Sequence, residues 1–380
     1  AQAPVRRQSP PLPTPPPGGG PAPPPGSPTP PGGPLPPPSL SNPPLWPFTV
    51  PAASGEALVA DDTGVVVAGY ASNGGNSDLL LARFDTGGVK QWERRLDLGG
   101  HEFGYGLAQD SLGRLTVVGY SQIGVLAGML VAQYDAAGTL LWQKVIPGDF
   151  AAGYAVVAGP DDSLYVTGER WNGINTDLWL LHLTSNGDVL WNTVRNEGGD
   201  EIGYGLALTA TGLYAVGSKN TTLWGCLFTL GGAVQGCATG GPGIAYQVAV
   251  EPASNDLYLG GLLEGATRNA FVARFNPATG FVWLGQFDGG QEDLVRGMVL
   301  GKNGFVYATG RTGEGTAADL GGIAINSAGQ PGSLHRYNGG GFDAGHAIAV
   351  DAQGRAYVTG VSSVGGVDSL LLIRLPGGPQ

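Results

Sequence analysis

Seven polar or aromatic side chains recur at one position of a repeated unit: Glu56, Tyr105, Tyr154, Tyr204, Tyr246, Arg296 and His346. A tyrosine offers an apolar ring and a hydroxyl that both donates and accepts. A set of four with an acid, an arginine and a histidine therefore suits a sugar or a peptide. The competing expectation is that the tyrosines wedge between neighbouring sheets and the other three end in solvent. Other candidates for chemistry are few. His101, His182, His335 and His346 stand in no metal-ligand spacing, and the Asp-rich turns lack the ligand alternation of a calcium loop. No metal and no cofactor is expected, and His182 is expected at the surface. Glu102, Asp200, Glu201, Glu292, Asp293 and Asp343 recur in the segments leading into successive repeats. Paired carboxylates can cleave glycans, but repetition reads more simply as turn and solubility residues, so no catalytic residue is assigned. Cys226 and Cys237 flank Gly231-Gly232, and a hairpin there sets them opposite each other. Cross-strand Cβ separations of about 4.5–5.5 Å are close to what a disulfide needs.

Composition limits the partners. The chain has 380 residues with 68 glycines, 30 prolines, 13% charged residues and a net charge of −11. Twenty-two of the prolines fall in residues 1–51, which separates a proline-rich arm (1–43) from a body (44–380). The arm holds Arg6 and Arg7 and no acid, leaving the body 17 bases against 30 acids, or −13. An acidic body argues against nucleic acid, which needs clustered Lys and Arg. No apolar run approaches the roughly 20 residues of a membrane helix, so no membrane insertion is expected. The start at Ala-Gln-Ala-Pro, the low lysine content and the two cysteines fit a processed, exported protein.

A short apolar run ending in glycine recurs at Gly69, Gly119, Gly168, Gly217, Gly261, Gly310 and Gly360, at intervals of 50, 49, 49, 44, 49 and 50 residues. Each unit reads as four short strands. A small-apolar strand such as GLAQD (106–110) comes first and the glycine-ending run second. An apolar third strand such as DLLLARFD (78–85) follows, and a fourth carries a tryptophan after a turn glycine, as in Gly88 then Trp92. No segment has helical periodicity bounded by caps. Seven such units predict an all-β ring of seven four-stranded blades. First strands line the axial channel of such a ring, which places the seven recurring side chains near one mouth. The last unit stops at Leu375 without its tryptophan strand, whereas Leu45-Trp46-Pro47-Phe48-Thr49-Val50 belongs to no unit. Residues 44–50, with Leu45, Trp46, Phe48 and Val50, are therefore expected to supply the outer strand of the last blade. Pro47 is tolerable on such an edge.

The pattern of YVTG, then D-LLL, then G-x-x-x-W resembles the bacterial seven-bladed β-propeller repeats of secreted and surface proteins. The resemblance covers residues 44–375. It implies an extracellular scaffold and brings no shared catalytic residues. Unit four (TLWGCLFT, with Gly236-Cys237 where the tryptophan should be) and unit six (DLGGIAIN, without tryptophan) depart from it.

Segments such as PPLPTPPPGGGPAPPP must favour polyproline II. At about 3.1 Å per residue, 43 residues span roughly 130 Å, against a body about 50 Å across. Polyproline docks on aromatic-lined grooves. Pro15, Pro16, Pro17, Pro23, Pro24, Pro25, Pro36, Pro37 and Pro38 are accordingly expected to lie against Trp171, Trp179 or Trp224 of another copy, with Arg6 and Arg7 on its acidic surface. The first functional reading is a non-catalytic secreted protein that assembles with itself through the arm into a filament or surface layer. The alternative is a surface-tethered propeller that binds a glycan or peptide at its mouth, with the arm as a stalk. An envelope hydrolase or lyase comes third.

Overall fold

A computed structural model describes residues 45–375 except Gly290, Glu314, Thr316 and Ala317. Arg6, Arg7 and the arm prolines at 15–17, 23–25 and 36–38 lie outside the described residues. The chain begins with β1 (Leu45–Pro51). Blade one follows as β2 (Ala53–Asp61), β3 (Gly64–Ser72), β4 (Ser77–Asp85) and β5 (Lys90–Leu96). Blade two is β6 (His101–Gln109), β7 (Leu115–Ile123), β8 (Leu126–Tyr134) and β9 (Leu140–Pro147). Blade three is β10 (Ala152–Ala158), β11 (Leu164–Trp171), β12 (Thr176–Leu183) and β13 (Val189–Arg195). Blades four and five share one continuous strand: β14 (Glu201–Leu208), β15 (Gly212–Lys219), β16 (Thr222–Thr229), β17 (Val234–Val250), β18 (Leu257–Glu264), β19 (Arg268–Asn276) and β20 (Gly280–Phe287). Blade six is β21 (Asp293–Leu300), β22 (Val306–Thr312), β23 (Asp319–Ile325) and β24 (Pro331–Tyr337). Blade seven is β25 (Phe342–Val350), β26 (Ala356–Val364) and β27 (Val367–Arg374).

All pairings are antiparallel, and the innermost strands touch in a closed cycle from β2 through β6, β10, β14, β17, β21 and β25 back to β2. This is a seven-bladed β-propeller. It closes through β1, which pairs with β27 in the register Phe48↔Leu372, Thr49↔Leu371, Val50↔Leu370. Phe48 then meets Phe84 of blade one edge-on, with centroids 4.7 Å apart. Both ends of the body are thereby held in one sheet.

The core lies between blades, because each blade is covered on both faces. In the third strand of blade one, Leu80 faces blade seven with Leu370 and Leu372, while Leu79 and Leu81 face Val117, Leu130 and Ala132 of blade two. That is why these strands read as continuous apolar runs. The tryptophan of the fourth strand latches onto the next blade. Trp142 stacks on the turn glycine Gly187 of blade three, where a Cβ would come within 2.6 Å of the indole. Its Nε1 donates to the Ser185 carbonyl at 3.1 Å. Gly187 also has φ +79°, so glycine is required there twice over. Trp92 on Gly138, Trp191 on Gly232 and Trp283 on Gly329 repeat the contact. His182 belongs to this layer and not to the surface. It stacks on Tyr165 at 4.1 Å and bonds Ser163 at 2.8 Å.

Blade four lacks the tryptophan, and Gly280 in the matching turn of blade five faces open space. The cross-strand pair Cys226↔Cys237 is a disulfide, with Cα atoms 4.1 Å apart. Closing a loop of this length contributes roughly 2–3 kcal/mol. Replacing both cysteines by serine is expected to lower the unfolding free energy by about that amount in a urea titration under non-reducing conditions. The rest of the ring should remain folded.

Candidate functional site

The seven recurring residues are brought to the axial channel by one backbone device. In every innermost strand the register slips by one residue at that position: between Gly55 and Ala57, Gly104 and Gly106, Gly153 and Ala155, Gly203 and Gly205, Ala245 and Gln247, Val295 and Gly297, and Gly345 and Ala347. Each skipped residue is the extra member of a β-bulge, which turns its side chain out of the sheet. The bulge also explains the recurring glycine of each second strand, which the strand runs two to four residues beyond and does not end on. A Cβ on Gly119 would lie 1.8 Å from the Phe103 carbonyl oxygen, and Gly69, Gly168, Gly217, Gly261, Gly310 and Gly360 are crowded in the same way. The sequence motif and the ring are therefore two sides of one feature.

Around the channel the residues form an aromatic arc and a charged arc. Tyr105, Tyr154, Tyr204 and Tyr246, from blades two to five, follow one another with centroids 5.6, 5.2 and 5.2 Å apart. The Arg296 guanidinium, from blade six, lies 5.9 Å from the Tyr246 ring. It reaches past blade seven to the Glu56 carboxylate at 3.5 Å, and its side chain stays 46% exposed within the channel. His346 fills the gap, with Nδ1 3.3 Å from Glu56 Oε2 and 3.1 Å from the Gly55 carbonyl. The Ser54 hydroxyl donates to Glu56 Oε1 at 2.8 Å.

These neighbours fix the protonation states. Burial pushes the Glu56 carboxyl up, but the charge and hydrogen bond of His346, the charge of Arg296 and the Ser54 hydroxyl outweigh it and hold the group down at about 2. Burial, with the charge of Glu169 adding to it, pushes the Tyr154 hydroxyl well up, and burial raises Tyr204 and Tyr246 as well. At neutral pH the ring presents neutral phenols and a matched ion pair. A depressed carboxyl contributes stability above its unfolded value near 4.5, and this is lost as the pH falls toward 2. Glu56→Gln is thus expected to cost about 2–3 kcal/mol at pH 7 in chemical denaturation. The difference from the unmodified protein should shrink between pH 4.5 and pH 2.

Several site residues carry no obvious sequence signal. Glu169 accepts from the Tyr154 hydroxyl at 2.6 Å. Burial, reinforced by Asp200, raises its carboxyl, and the Tyr154 bond offsets part of that. Phe103 sits two residues before Tyr105, stacks on it at 6.1 Å and meets Tyr70 at 4.8 Å. Glu169 and Tyr70 each directly follow a recurring second-strand glycine, and that offset was the available clue.

Two sequence expectations are corrected. Trp179 and Trp224 are 4% and 3% exposed and fill the spaces toward blades two and three, so neither offers a docking groove. Trp171, at the end of β11, is half-buried. The acids Glu102, Glu201, Asp293 and Asp343 are buried, so they do not serve solubility at a surface, although they do hold the connecting turns. They accept backbone N–H groups from the segment ahead of them: Leu98 to Glu102, Glu197 to Glu201, Gly289 to Asp293 and Gly339 to Asp343. Each fastens the incoming segment of its blade.

No family model matches the chain, and no curated protein matches it. Solved structures do. A chain of the mitotic checkpoint complex is 15% identical with a TM-score of 0.57, the match covering 90% of this chain and 98% of that one. The periplasmic gluconolactonase of Pseudomonas aeruginosa is 13% identical with a TM-score of 0.57, covering 83% and 99%. The Dos1 propeller is 10% identical with a TM-score of 0.53, covering 86% and 95%. At these identities the likeness is one of fold, and it agrees with the propeller read from the strands. Enzymes and non-enzymes share that fold, so catalysis must be argued from the site. The disulfide is compatible with an oxidising, extracellular setting. Among the described residues no helix is long and apolar enough to cross a membrane.

Proposed function

We propose that the protein is a secreted, non-catalytic propeller that binds a neutral glycan at its channel mouth, with a short peptide as the competing ligand. The observation that carries this reading is the unbroken arc of four tyrosines ending on the Arg296–Glu56 pair. Four phenol rings offer stacking faces together with donors and acceptors, the combination that sugar recognition uses. Arg296 and Glu56 pair with each other, which leaves the four phenols as the larger part of the mouth. Glu56, held near 2, is a poor base, and the raised phenols are poor acids, which leaves Glu169 as the one carboxyl at the ring raised by burial. Self-assembly through the arm comes second, because two of its three docking tryptophans are core residues. The test is calorimetric titration of the full chain with a panel of neutral oligosaccharides and short peptides. Binding by at least one neutral oligosaccharide supports the reading, and a silent oligosaccharide panel would sink it.

A further inference from the structure

Blade six carries a hole that the other six blades fill. The third-strand residue opposite each recurring second-strand glycine is Leu80, Leu130, Trp179, Trp224, Phe271 and Leu371 in the other blades. All six are buried against the preceding blade. In blade six the residue opposite Gly310 is Gly321, and a Cβ built there would meet nothing within 4 Å. A cavity of about 100 Å³ stands in its place, walled mainly by Ala270 and Phe287 of blade five and by Val295, Ala308, Ile323 and Leu334 of blade six, with Asp293, Arg311, His335 and Arg336 also in its lining. Its opening is marked by Asp288 and Gly289, which line it and are exposed.

We infer that this cavity receives the Leu12 side chain, within Pro11-Leu12-Pro13, from the arm of a second copy. Three observations point to that occupant. The missing group is the size of one aliphatic side chain, and the first 40 residues contain only four such bulky apolar residues: Val5, Leu12, Leu35 and Leu40. Flanking prolines remove backbone donors that would otherwise need partners where the segment enters the cavity. Reach and charge also fit. Leu12 lies 33 residues before Leu45, about 100 Å when extended at about 3.1 Å per residue. That is enough to leave its own body, about 50 Å across. Arg6 and Arg7, five or six residues further out, would then lie over a neighbour with 30 acids against 17 bases. A contact from one copy's arm to the next copy's blade is heterologous, so it propagates or closes into a ring.

The test is sedimentation velocity of the full chain beside Gly321→Leu and Leu12→Ser, with circular dichroism on all three. Gly321→Leu fills the hole from within, using a residue already present at the equivalent place in three other blades. Leu12→Ser removes the plug without touching the body. The full chain is expected to form oligomers, and each variant should weaken association at least about tenfold, the loss of one buried leucine. A synthetic peptide of residues 1–20 should compete with assembly of the full chain. A monomeric full chain, or undiminished assembly by Leu12→Ser, would overturn the inference. Should Gly321→Leu misfold, Leu12→Ser and the peptide still decide. Glycan titration reads the mouth separately, so failure of one result leaves the other standing.

Discussion

A chain that begins at Ala53 is expected to lose cooperative folding, whereas one that begins at Asn42 should unfold like the full protein. The difference is β1. Without it, the backbone edge of β27 loses its partner along the whole register from Leu45↔Arg374 to Pro51↔Ser369. Phe48 and Val50 leave the cluster they share with Phe84, Leu370 and Leu372. A fully buried side chain of this kind contributes about 1.5–3 kcal/mol, and these two are partly buried. The seventh blade would also lose its tie to the first, which exposes apolar surface on both. The total is on the order of 5 kcal/mol, comparable to the whole stability of many domains. Thermal unfolding followed by tryptophan fluorescence distinguishes the outcomes. Matching transitions for the two truncations would mean that β1 does not close the ring.

Replacing Tyr105 and Tyr204 together by alanine is expected to remove glycan binding while leaving the propeller folded. Both side chains stand on bulges and project from the sheet, so truncating them leaves the ladders and the inter-blade clusters in place. Each stacking ring with its hydroxyl contributes on the order of 1–2 kcal/mol to a sugar contact. Loss of two predicts a fall in affinity of at least about thirtyfold. Because Tyr154 touches both at 5.6 and 5.2 Å, the two losses should not add simply. Calorimetry on the variant checks this, and unchanged affinity would place the binding site elsewhere.

The repeat made the blade count, the closing strand, the disulfide and the membership of the ring legible in the residues. One position per blade lies 13 to 15 residues before each recurring glycine, and symmetry carries it to the channel. The chemistry between blades was harder to read. Arg296 reaches past His346 to Glu56, and no spacing along the chain encodes a contact between blades six and one. Trp179 and Trp224 looked like surface aromatics because an inner face and an outer face cannot be told apart where both are buried. Glu102, Glu201, Asp293 and Asp343 looked like loop acids because sequence records polarity but not the backbone N–H that justifies burying it. The departures of units four and six from the pattern did signal real differences: a disulfide in one and a cavity in the other.

The most direct test of the mouth as a glycan site is an NMR titration of the full chain, selectively labelled on its tyrosine rings, with the neutral oligosaccharide panel. The account predicts that Tyr105, Tyr154, Tyr204 and Tyr246 shift together and saturably with one sugar, while the core tyrosines Tyr258 and Tyr357 stay fixed. Saturable binding that leaves those four rings unmoved would contradict it.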